Sequence, residues 1–159
     1  MFKYISILLL LFLSLSSIIS AQPYAPVAPI PDNPNNDPDM ALGIMIMKTI
    51  QVPDKSDIAI SAYPDAQIIQ TAKGESGMLP SVRLVSSDEI KNVVEFYKNE
   101  LKNWKYEDFY GVHMYWNGED KMDAMMGQKP VVQIEDGEKY SNLVPGTKTA
   151  ILIGYSSNK

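Results

Sequence analysis

The sequence predicts an α+β domain: a mainly antiparallel sheet with one long amphipathic helix packed on one face. Three observations carry this. Short apolar runs bounded by turn residues recur on both sides of a single helical stripe. That stripe, from Ile90 to Leu101, repeats its apolar residues with the period of a helix. The closing run, residues 149–155 (TAILIGY), is apolar and β-branched enough for a central strand.

Taken in order, the folded part is expected over residues 40–159 as one domain. Asp37-Pro38-Asp39 reads as a helix start, with Asp37 as N-cap and Pro38 at the first helical position. Residues 40–47 (MALGIMIM) then suit a short buried helix, although Gly43, Ile44 and Ile46 weaken it. Tyr63-Pro64-Asp65-Ala66 is a turn, because proline presets φ and Asp bonds the backbone just ahead. Residues 67–71 and 81–85 follow as two strands around the glycine-bearing loop 73–77, a β-hairpin.

Ser86 and Glu89 have the spacing of a capping box, and Asp88 and Glu89 complement the positive end of a helix. Ile90, Val93, Val94, Tyr97 and Leu101 form the stripe, with Lys91, Glu95, Lys98, Asn99 and Lys102 opposite. The expected helix is about four turns long. Residues 104–110 and 112–116 alternate aromatic and polar side chains as strands. Asn117-Gly118, Asp136-Gly137 and Pro145-Gly146 mark turns, and residues 131–134 form a further strand.

The N-terminus carries an address. Lys3 is followed by an apolar run from Ile5 to Ile19 broken only by serines, and Ser20-Ala21 offers small residues for cleavage. A charged start, an apolar core and a small-residue exit make residues 1–21 a secretory signal peptide. The run is about 15 residues, short of the roughly 20 that span a membrane. Cleavage after Ala21 exposes Gln22, with Ala25 and Ala28 as further candidate sites. The expected location is periplasmic or extracellular. The chain has no cysteine, which rules out a lipidated N-terminal Cys and a disulfide framework.

Residues 22–39 (QPYAPVAPIPDNPNNDPD) hold six of the 11 prolines. Pro23, Pro26 and Pro29 recur at the period of polyproline II, so this Pro/Asn-rich stretch reads as a linker. Loss of the leader removes Lys3, one of 14 basic residues set against 19 acidic ones. An acidic chain with Arg83 as its only arginine is a poor match for nucleic acid, and no membrane association is expected after cleavage.

A resemblance adds to this reading. Tyr63-Pro64-Asp65-Ala66, Val82-Arg83-Leu84 before a helix, Phe96-Tyr97 with Leu101 and Trp104, and the late Pro145-Gly146-Thr147-Lys148-Thr149 look like a group of small exported bacterial α+β domains. That group has a Tyr-Pro-x-Ala turn before a helix carrying Phe-Tyr-x-x-x-Leu. The resemblance spans about residues 60–155. It implies fold and compartment and brings no catalytic residues.

Tests for chemistry return little. Nucleophilic catalysis lacks a cysteine, His113 is the only histidine, and no serine sits in a Gly-x-Ser-x-Gly elbow. His113, Glu119, Asp120 and Asp123 fall close together, but they fit neither a structural zinc site nor an EF-hand; they read as an acidic loop, and no metal or cofactor is expected. Glu107-Asp108 and Glu119-Asp120 are the carboxylates of an alternative reading, a hydrolase acting on an envelope polymer.

The best binding candidates are aromatic. Trp104, Tyr106, Phe109, Tyr110, Tyr115 and Trp116 crowd one stretch, and Tyr106, Tyr110, Tyr115 and Trp116 are taken as ligand-binding residues. Strand alternation puts Tyr110, Val112, Met114 and Trp116 on one face, with His113 and Tyr115 on the other. The expected function is a non-enzymatic binding or accessory module of the cell envelope, with an envelope protein or glycan as partner. A third reading is a structural module that oligomerises through a sheet edge.

Overall fold

The computed structural model describes residues 22–33 and 35–156; the signal peptide expected over residues 1–21 lies outside these residues. The elements, in chain order, are α1 (Pro38–Met47), β1 (Gln67–Ala72), β2 (Ser81–Ser86), α2 (Ile90–Glu100), β3 (Lys105–Phe109), β4 (Val112–Trp116), α3 (Lys121–Met125), β5 (Val131–Asp136) and β6 (Thr149–Gly154). The six strands make one sheet in the order β1-β2-β6-β5-β4-β3, every neighbouring pair antiparallel. The α+β class is therefore correct. The single long helix is not: α2 has 11 residues, about three turns, and two other short helices accompany it.

Strand alternation explains the core. Val82, Ile153 and Val132 lie in one cross-strand row, and Leu84, Ile151 and Ile134 in the next. All six are at most 0% exposed and form the floor on which Val93 and Tyr97 of α2 pack. The opposite face is covered in two patches. Met47 of α1 covers Ile69 and Val85, and Ala124 of α3 covers Met114, Trp116 and Val131.

Three tyrosine hydroxyls tie irregular chain to this core. Tyr24 donates to the Ile60 carbonyl at 2.6 Å, Tyr97 to the Ser61 carbonyl at 3.1 Å, and Tyr63 to the Asp88 carboxylate at 2.6 Å. Each aromatic body is buried while its polar tip satisfies a group on another segment.

Two local expectations are corrected. The first concerns the start of α2. Ser86 remains in β2, paired with Thr149, and its hydroxyl accepts from the Asp88 N–H rather than capping a helix. Glu89 occupies the N-cap without a side-chain cap bond and pairs with Lys148 at 2.7 Å instead. The strand claims Ser86 because its ladder to β6 runs to that residue, so the helix begins later.

The second correction concerns the linker. Residues 23–28 lie on the domain: the Ala28 N–H donates to the Ile68 carbonyl, and the Ile68 N–H to that of Pro26. This is a parallel bridge at the outer edge of β1, and Tyr24, Ala25 and Ala28 are all buried. Proline every third residue blocks continuous pairing, but it leaves Ala28 its N–H and Pro26 its carbonyl. Asp37 caps α1 as expected, accepting from the Asp39 and Met40 N–H groups.

If residues 23–28 are integral, Tyr24→Ala should lower the unfolding free energy by about 3 kcal/mol in a denaturant titration. Ala substitution at exposed Ile30 should cost within about 0.5 kcal/mol. Equal, small effects at both positions would mean that the segment is a spacer.

Candidate functional site

The candidate site is built on the β3–β4 hairpin. These strands pair from Lys105↔Trp116 to Phe109↔Val112, leaving Tyr110 and Gly111 as a two-residue turn. Both have positive φ, 51° and 83°, the type I′ geometry that matches the twist of paired strands. Glycine suits its position; tyrosine at the other costs about 1 kcal/mol, because its Cβ crowds the backbone. The Asp108 carboxylate braces the turn by accepting the Gly111 N–H at 3.1 Å.

That strained residue is also the most exposed of the large hydrophobic side chains described: Tyr110 is 94% exposed. Phe109 packs edge-on against it, with ring centroids 4.8 Å apart. Lys121 then sits 5.2 Å over the Phe109 ring while pairing with Glu107 at 2.8 Å. The tip is thus an aromatic pair steadied from beneath by a cation–π contact and an ion pair.

Tyr106 lies on the other face of the hairpin, half-exposed beside α2. Its hydroxyl is 2.9 Å from His113 Nδ1, the two rings are stacked with centroids 6.2 Å apart, and Tyr115 lies 4.8 Å away. Asp108 Oδ2 is 3.8 Å from the same imidazole nitrogen and attracts it when the ring is protonated. An open groove of about 610 Å³ separates His113 from Ile90, Lys91, Val94, Glu95, Lys98 and Asn99 of α2.

The four predicted binding residues are not brought together. Tyr115 and Trp116 are core, a correction with a simple cause: β4 is an inner strand covered on both faces. Tyr115 packs under α2 and donates its hydroxyl to the Val94 carbonyl at 2.9 Å. Trp116 points the opposite way, beneath Ala124 of α3. Tyr110 leaves the strand at the turn and shares neither face. Tyr106 and Tyr110 remain accessible, and Phe109 joins them. The signal for Phe109 was the Tyr110-Gly111 dipeptide between two alternating strands, which places its neighbour at the tip.

Three of the four paired carboxylates, Glu107, Asp108 and Asp120, have structural partners. Consecutive Glu107 and Asp108 project to opposite faces, the first to Lys121 and the second to the Gly111 N–H. Asp120 caps α3 by accepting the Met122 N–H at 2.7 Å, so the expected acidic loop contains a short helix. No group of three or more potential metal ligands occurs among the described residues. None of the described helices is long and apolar enough to cross a membrane.

No protein-family model, curated protein or solved structure matches this chain. The site therefore rests on its own geometry.

Two predictions follow from that geometry. Tyr110→Gly should raise the unfolding free energy by roughly 1 kcal/mol, because glycine adopts positive φ without strain. A thermal melt that moves downward would show that the ring stabilises the fold. The second concerns alkali. Burial pushes the Tyr115 hydroxyl up to about 12 from an ordinary 10.0, and burial with the Asp88 hydrogen bond does the same for Tyr63. The folded state holds these protons more tightly than the unfolded chain. The contribution of these two hydroxyls to stability is therefore complete below pH 10 and should fall as pH rises toward 12. Tyr115→Phe should flatten that decline in denaturation midpoints measured across the interval.

Proposed function

We propose that this chain is an exported binding or accessory module of the cell envelope, which grips a partner protein by its aromatic hairpin tip. The leader and resemblance described above support export. The observation that carries the binding role is Tyr110: a large ring almost wholly in water, held at positive φ on a braced turn. A bulky side chain in that conformation costs stability, and such costs collect where a surface is used. An exposed aromatic with a second ring against it is the composition of an interface anchor.

Shape favours a protein over a glycan. Aromatic platforms for sugars work best in a cleft that also supplies hydrogen bonds, whereas this tip is convex and projects from the end of two strands. A knob of that kind inserts into an apolar pocket on a folded surface, with Glu107, Asp108 and Lys121 forming a charged rim around its base.

The test is site-specific photocrosslinking in the expressing cell. A photoreactive phenylalanine analogue at position 110 should give a discrete protein adduct, and the same analogue at exposed Leu42 should not. Once the adduct is identified, Tyr110→Ala should weaken the purified complex by about 30-fold or more, the effect of losing an interface anchor. Identical adducts from both positions, or an unchanged affinity, would overturn the reading.

A further inference from the structure

The sheet has two edges, and the chain treats them differently. The β1 edge is occupied by residues 26–28, which take up the Ile68 N–H and carbonyl. The β3 edge has no strand beside it among the described residues. The two-residue turn determines which backbone groups face outward there. Phe109 and Val112 flank the turn as a hydrogen-bonded pair, so Glu107 and Lys105 also direct their backbone groups toward β4. Tyr106 and Asp108 therefore present their N–H and carbonyl groups to the open edge.

The geometry points to a second copy of this chain as the occupant of that edge, with β3 pairing antiparallel to β3 about a two-fold axis at Tyr106. In this register Tyr106 faces Tyr106 as a hydrogen-bonded pair, exchanging two N–H to carbonyl bonds. Lys105 of each copy faces Glu107 of the other, in the closer non-hydrogen-bonded positions. Asp108 of each copy donates its N–H to the Trp104 carbonyl of the other.

Charge selects the register. Centring the axis on Lys105, Glu107 or Asp108 would put identical charges directly opposite one another, which is destabilising. Centring it on Tyr106 makes two opposite-charge pairs and stacks two half-exposed rings. Edge strands resist association through short length, charged side chains, proline or bulges; β3 is short and charged, but in this register its charges attract across the seam. This strand has a self-complementary alternation and regular pairing along its length. The product is a continuous twelve-stranded sheet, with the Tyr110 tips at opposite ends of the central strand pair, so both remain available to partners.

The test uses the full-length chain, expressed and purified in its exported form, with mass in solution measured by sedimentation equilibrium. The wild type should dimerise reversibly. Lys105→Glu, at an exposed position, should raise the dimer dissociation constant about tenfold or more, because both cross-strand pairs become repulsive. Glu107→Lys should do the same, and the double swap Lys105→Glu/Glu107→Lys should restore dimerisation. Circular dichroism checks that each variant is folded. Tyr110→Ala should leave the dimer intact, which separates this contact from the tip proposed above. A wild type that is monomeric at its highest soluble concentration overturns the proposal. So does a dimer that ignores the single reversals, a double swap that fails to rescue, or a dimer lost with Tyr110.

Discussion

The alternation of side chains across the three central strands governs the whole molecule. Val82, Leu84, Ile151, Ile153, Val132 and Ile134 meet in two rows on one face, and burying that block is the largest apolar gain available to the chain. Helix α2 has to lie across it, and residues 58–63 have to close its flank. Once that face is chosen, the period of two determines every other outward direction: Arg83 and Glu135 pair on the reverse face, where the Tyr140 ring lies 5.5 Å from the guanidinium. A one-residue slip in β5 would turn Ile134 away from α2 and put Glu135 beneath it, and a slip in β2 would do the same with Leu84 and Arg83.

This explains why the sheet was legible and parts of its surroundings were not. All six strands were visible because β-branched and aromatic runs between Pro, Gly and Asp turns report local chain direction, and those signals do not depend on distant contacts. Ser86 shows the limit. Its capping spacing was genuine, but a ladder to residues more than sixty positions later outbid the cap. The proline-rich segment shows another: composition carries no signal of whether such a chain floats or docks, which the neighbouring Ile68 edge and the Tyr24 bond to Ile60 decide. Helix α3, five residues under an Asp120 cap, is too short for periodicity to announce.

The aromatic stretch was half legible for the same reason. Alternation correctly separated Tyr115 from Trp116, but it could not reveal that helices cover both faces of β4. What survived on the surface is set by the turn. Tyr110 escapes burial because the hairpin reverses there, and Tyr106 escapes in part because it belongs to the last strand of the sheet. The accessible aromatics therefore mark the rim of the fold, where its backbone and its rings are both offered to something outside.

The position of β6 has a consequence for how the chain is made. The last strand to emerge is inserted between β2 and β5, so nothing joins the β1–β2 hairpin to the β3–β4–β5 meander until residues 149–154 are present. Before then the sheet is two separate halves, and the two rows beneath α2 lack their middle members Ile151 and Ile153. Joining the two halves thus waits until residues 149–154 have been made, which gives the sheet a large share of long-range pairing. On the export route proposed above, a polypeptide threading outward from its N-terminus would complete its sheet only after residues 149–154 had cleared the channel.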